Sequence, residues 1–108
     1  MLRCNQRRKI MAVVIRFASQ GFTAAKYAET VKRLEQAGAG APAGRLYHVC
    51  FGDKDNLRVS DIWDSAEAFE RFGQTLRPIM QELGIEGEPE ILEVHNIIEG
   101  VRAGTAKL

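Results

Sequence analysis

Six segments of the chain change their hydrophobic period in a set order, and that order constrains the fold more than any other feature. Residues 11–18 (MAVVIRFA) are β-rich and read as a strand. Gly21 breaks the run. Thr23 is placed to cap a helix from Ala24 to about Ala37, in which Tyr27, Val31 and Leu34 recur on one face. The stretch AGAGAPAG (37–44) ends that helix in a loop. Residues 45–51 (RLYHVCF) and 56–63 (NLRVSDIW) are strands on either side of a GDKD turn, which is a hairpin signal. Asp64, with Glu67 three residues later, has the pattern of a capping box opening a second helix. Phe69, Phe72, Leu76 and Ile79 or Met80 mark its buried face, Pro78 predicts a kink or break, and Gly84 a stop. Residues 89–98 (PEILEVHNII) read as the last strand, and 99–108 as a C-terminal tail. The order β-α-β-β-α-β is the ferredoxin-like, split βαβ arrangement. It predicts an α+β domain: a four-stranded antiparallel sheet in the order 4-1-3-2 with both helices on one face.

A chain of 108 residues has room for one such domain, assigned here to residues 11–98. Hydrophobic residues at 45% and charged residues at 27% suit a globular core and exclude a disordered chain. No apolar run approaches the ~20 residues of a membrane span. Residues 1–10 carry Arg3, Arg7, Arg8 and Lys9 and no acid, and read as a loose basic leader. It is not read as a secretory signal, because the apolar run after it is short, contains Arg16 and has no small-residue cleavage site in a suitable place, and trimming it is expected to leave folding and dimerisation nearly unchanged. With those four set aside from the 15 basic residues, 11 remain against 14 acidic ones. A mildly acidic body argues against a nucleic-acid partner. Cys4 and Cys50 are the only cysteines and have no CxxC spacing, so neither a disulfide framework nor a zinc site is indicated. Reduced thiols fit a cytoplasmic location.

The predicted sheet poses a problem, because helices cover one face and nothing within the chain covers the other. Strand alternation sorts the residues into two sets. The larger apolar sets, such as Val13, Ile15 and Phe17, are assigned to the helix-covered core. The open face then receives Val14, Arg16, Leu46, His48, Cys50, Val59, Asp61, Trp63, Ile91, Glu93, His95 and Ile97. Such a face is too apolar for water and too polar for a plain core. Two copies packed sheet to sheet would make a homodimeric barrel with a partly hollow interior, the usual form of a small-molecule site.

The element order, the DIWDSAEAFERF run (61–72) and the closing EVHNII (93–98) resemble the dimeric α+β barrel superfamily, and within it the antibiotic-biosynthesis-monooxygenase-like proteins. The resemblance spans residues 11–98. It implies a dimer and a cavity, with activities in the group ranging from cofactor-free oxygenation to haem degradation, isomerisation and decarboxylation. Trp63 matches the strand tryptophan that lines the cavity of the quinone-forming oxygenases, whereas their cavity asparagine would fall at Val59. The haem-degrading members use a histidine on the second helix, and residues 65–83 contain none. The pairs Tyr47-His48 and Val94-His95-Asn96 are similar to those of small bacterial homologues in the group.

His48, Asp61 and His95 are the residues best suited to chemistry. A hairpin centred between Lys54 and Asp55 sets His48 opposite Asp61, an arrangement that fixes the imidazole tautomer and raises its basicity, as a general base requires. Arg16, on the neighbouring central strand, is expected to balance Asp61 or hold a substrate oxyanion. Trp63 offers a flat wall for an aromatic substrate. A cofactor-independent oxygenase of aromatic or polyketide-like compounds needs little more, and no flavin, haem, metal or nucleotide is expected. Other readings stand beside it. The same groups could simply satisfy one another in a buried dimer interface, two histidines and a carboxylate could hold zinc or iron, and Trp63 could be interface core.

Overall fold

The computed structural model describes residues 11–104. The leader, with Cys4, and the last four residues of the tail lie outside the described residues. Six elements follow in the expected order: β1 (Val13–Ala18), α1 (Ala24–Gln36), β2 (Arg45–Asp53), β3 (Asn56–Trp63), α2 (Ala66–Glu82) and β4 (Glu90–Glu93). All pairings are antiparallel and the sheet order is β2-β3-β1-β4, the 4-1-3-2 arrangement of a ferredoxin-like α+β domain.

Local chemistry explains most boundaries. Thr23 caps α1, its hydroxyl accepting from the Lys26 N–H at 3.1 Å. The cap of α2 is Ser65 rather than Asp64: Ser65 Oγ accepts from the Ala68 N–H at 3.1 Å. Asp64 is held outside the helix because its own N–H is bonded to the Gly44 carbonyl at 2.8 Å. Gly44 has φ +92°, and a Cβ there would lie 2.6 Å from the Ala68 methyl, so a larger residue would force the loop off the helix. The helix α2 runs unbroken through Pro78, so of the expected kink or break the break does not occur. Pro78 sits on an exposed position in the last turns, where one missing N–H costs a single ladder bond. The last strand is also shorter than its hydrophobic pattern suggested. Glu90 to Glu93 pair with Arg16 to Val13, and the Val94 N–H reaches the Ala12 carbonyl at 3.0 Å. Beyond that point the described part of the first strand is used up. Residues 94–100 take no regular structure, and Ile98 and Val101 are exposed.

The assignment of sheet faces needs correction. Register sets Val13 against Trp63, Ile15 against Asp61 and Phe17 against Val59. Directly paired residues share a face, so Asp61, Trp63, Val59, His48 and Cys50 lie on the helix side together with Ile15. The open face carries Val14, Arg16, Tyr47, Val49, Ser60, Ile62 and Leu92. The grouping of His48, Cys50, Asp61 and Trp63 was sound, but the group was attached to the wrong set of β1. The core beneath the helices is in two parts. One comprises Ile15, Leu34, Trp63, Ala68, Phe69 and Phe72; the other is built on Phe22, Leu57 and Ile85.

Candidate active site

Between the two parts of the core, the inner face of the sheet and both helices line a partly open cavity of about 570 Å³. That is the volume of an ordinary small-molecule pocket. The cavity belongs to one protomer and lies under the helices, whereas the sequence pointed to a space between two sheets. Its walls are mostly apolar, with Ile15, Phe22, Leu34, Phe69, Phe72 and Met80 contributing from both parts of the core.

Polar groups interrupt these walls, and one hydrogen-bonded cluster among them is centred on His48. His48 Nδ1 lies 2.6 Å from Asp61 Oδ1, and Tyr27 Oη lies 2.7 Å from His48 Nε2. Trp63 Nε1–H donates to the other carboxylate oxygen, Asp61 Oδ2, at 3.2 Å. Asp61 is 5% exposed and Trp63 fully buried. A carboxylate in such a place is tolerated because both oxygens accept hydrogen bonds. Among the described residues, no buried side-chain nitrogen or oxygen lacks a partner. In the neutral imidazole, the acceptor-only carboxylate takes the Nδ1–H, and Nε2 then carries the lone pair and accepts from the Tyr27 hydroxyl. Burial pushes the Tyr27 phenol above its ordinary value, Cys50 and Asp61 add to the rise, and Arg45 opposes it. Tyr27 therefore holds its proton at neutral pH. Burial likewise raises the Cys50 thiol.

The backbone of β2 supplies a further feature. Arg45 pairs with Trp63 but Tyr47 pairs with Ile62, so Leu46 is an extra residue in a bulge. In an unbroken strand Arg45 and His48, three apart, would face opposite sides. The bulge turns both onto the cavity, a common use of this irregularity beside binding sites. The Arg45 guanidinium stands 5.6 Å from the centre of the Phe72 ring and donates to the Gly40 carbonyl at 3.3 Å. The second cavity guanidinium, Arg77, is bound to Glu70 at 3.1 Å.

The five residues singled out from the sequence are thus brought together only in part. His48 and Asp61 meet on the cavity wall. Trp63 joins them from behind and does not form a ligand wall: it is core, packed on Phe69 and Phe72 with ring centroids 5.7 and 5.2 Å away. Arg16 does not face Asp61. It is exposed on the open side of the sheet, opposite Ser60 in register. His95 follows the end of β4, is exposed and does not line the cavity. Among the described residues, no three His, Cys, Asp or Glu side chains cluster so as to hold a metal ion. Sequence reasoning missed Tyr27 and Arg45. Tyr27 falls at the helical spacing of core residues, and the signal that could have found it is that a tyrosine on a buried helix face must place its hydroxyl against a partner. The strand pattern alone carried no sign of the Leu46 bulge that aims Arg45.

No protein-family model matches the sequence, and no curated protein matches it. Solved structures do match. A protein of Chloroflexus aurantiacus J-10-fl described as a candidate antibiotic biosynthesis monooxygenase superposes with TM-score 0.60 at 16% identity, over 82% of this chain and 97% of the other. SnoaB, a cofactor-independent oxygenase from Streptomyces nogalater, gives 0.55 at 17% identity over 82% and 96%. A dimeric ferredoxin-like protein from an uncultured marine organism gives 0.54 at 13% identity over 91% and 98%. At these identities the likeness is one of fold. It agrees with the architecture expected from the resemblance to antibiotic-biosynthesis-monooxygenase-like proteins.

Proposed function

We propose that this chain is a small-molecule-binding protein that oxygenates an electron-rich aromatic or polyketide-like compound without a cofactor. The observation that carries this reading is the His48–Asp61 pair, 2.6 Å apart, set into the wall of a mostly apolar cavity of about 570 Å³. A phenol or quinol reacts directly with dioxygen only after it loses a proton. The protein's task is then to supply a base, hold the anion and admit oxygen to an apolar space. Asp61 orients the imidazole and stabilises its protonated form. Trp63, bonded to the second carboxylate oxygen, holds Asp61 in place. The fold shared with SnoaB is consistent with this chemistry.

Oxygen consumption by metal-stripped protein over a panel of dihydroxyaromatics tests the reading. His48→Ala is expected to lower turnover by about 10²–10⁴-fold, the usual contribution of a general base. Equal activity in the variant would overturn the base assignment.

One observation favours a second reading, a non-catalytic ligand-binding dimer. Every buried polar side-chain atom among the described residues already has a partner, as a purely structural network would require. Absence of turnover across the panel, together with ligand binding, would select it. Both readings include a homodimer formed through the open sheet face. There Tyr47 is 61% and Leu92 40% exposed, and Val14, Val49 and Ile62 lie alongside. A neighbour of the same fold is a dimer.

A further inference from the structure

Both ring nitrogens of His48 are already engaged, Nδ1 by Asp61 at 2.6 Å and Nε2 by the Tyr27 hydroxyl at 2.7 Å. The planes of the two rings are nearly parallel, 6° apart, with centroids 5.9 Å apart. Because both nitrogens are taken, a ligand in the cavity, which Tyr27 and His48 both line, reaches the Nε2 lone pair through the phenol oxygen.

We propose that Tyr27 is the residue that touches the ligand, and that it passes the proton of a bound phenol or enol to His48. This rests on the small-molecule reading above. In the transfer, the ligand O–H bond breaks and a new O–H bond forms on Tyr27. The original Tyr27 O–H bond breaks as an N–H bond forms at His48 Nε2. The Nδ1–H stays on the Asp61 carboxylate. No electrons change hands: the products are the ligand oxyanion, a neutral tyrosine and an imidazolium beside a carboxylate. Tyr27 then donates its new O–H to the oxyanion it has made.

The surrounding charges suit that outcome. Besides His48, which is hydrogen-bonded to it, the charged or titratable groups acting on Tyr27 are Cys50 and Arg45 from β2 and Asp61 from β3. Arg45, turned inward by the bulge, is a guanidinium without a carboxylate bonded to it among the described residues, and it supplies positive charge where the oxyanion forms. On α2, Arg77 is neutralised by Glu70. Glu88 lies on the loop ahead of β4, at the opposite edge of the sheet from β2.

The test uses 4-nitrophenol, whose anion has its own visible absorption, titrated with the full chain across pH. Bound to the wild-type protein, the probe is expected to show about tenfold more phenolate than free probe at the same pH, a shift of ~1 unit. Tyr27→Phe is expected to bind the probe, measured by equilibrium dialysis, but to return its ionisation to the solution curve. His48→Gln is expected to do the same. A merely structural Tyr27 would not move this readout in a folded variant. Bound probe ionised in Tyr27→Phe as in the wild type, or more strongly, would overturn the relay and make His48 the direct base. Bound probe with no shift in the wild type would overturn it as well. Failure of the wild type to bind the probe would instead remove the aromatic-ligand reading and the relay with it. Should Tyr27→Phe not fold, 3-fluorotyrosine incorporated into a Tyr47→Phe background keeps the hydrogen bond with a more acidic phenol. More bound phenolate is then expected, and an unchanged fraction would overturn the proposal.

Discussion

Asp61 does more for this protein than its single charge suggests, because its two oxygens join the core tryptophan to the cavity histidine. Leucine fills a similar space and accepts no hydrogen bond. In Asp61→Leu, the buried Trp63 Nε1–H loses its acceptor inside the fold. Leaving one buried donor unpaired costs about 1–3 kcal/mol. For a domain of this size that lowers Tm by at least about 4 °C. Calorimetry showing no fall would refute the account of the network. Tyr27 and Cys50 make a separate prediction. Both groups are raised in the folded protein above ordinary values of 10.0 and 9.0. The folded state therefore keeps protons that the unfolded chain has lost, so stability is full below about pH 9 and falls as pH rises through the raised values. Denaturant titrations from pH 8 to pH 11 should show this decline, and Tyr27→Phe should flatten its upper part. A stability independent of pH over that range would contradict it.

Among the elements, α2 shows how the sequence misleads by one position. Asp64 and Glu67 have capping-box spacing, yet Ser65 makes the bond to Ala68. Ser65→Ala is expected to cost about 1 kcal/mol, whereas Asp64→Ala should cost less, since its side chain caps nothing here. Thermal unfolding of the two variants measures the difference, and a larger loss from Asp64 would overturn the assignment. β4 illustrates a different limit. Its hydrophobic pattern runs from 89 to 98, but a strand exists only where another strand is there to bond to it, and β1 serves it only as far as Val13. The Leu46 bulge matters most for function, because it alone puts Arg45 and His48 on one side of β2.

For the whole molecule, the consequence of the fold is one covered and one open sheet face. The open face bears exposed Tyr47, Leu92 and Phe51, next to the unpaired segment with Ile97 and Ile98. A patch of that kind is covered in stable proteins, and a standard interface needs about 800 Å² per partner. Sedimentation should show a dimer at micromolar concentration. Tyr47→Glu, which buries a charge at that interface and leaves the cavity residues in place, should give monomers that still bind the aromatic probe. A wild-type monomer, or a Tyr47→Glu dimer as tight as the wild type, would count against this use of the face. Among the described residues no helix is long and apolar enough to cross a membrane.

The sequence by itself determined the element order, the sheet order and the pairing of His48 with Asp61. Each of these depends on information carried locally: the period of hydrophobic residues, turn residues and the length of one hairpin. Which side of the sheet the pair occupies was decided only in the tertiary structure. A period of two says which residues of a strand go together, but not which set meets the helices. Polarity argued for the open face, and it failed because Trp63 and His48 satisfy the Asp61 carboxylate from within the protein. Tyr27 reaches His48 across 21 positions of sequence, and Arg45 reaches the same cavity through an irregularity in backbone pairing. Neither contact leaves a mark on any local pattern, because each depends on where a helix and a strand come to rest against each other.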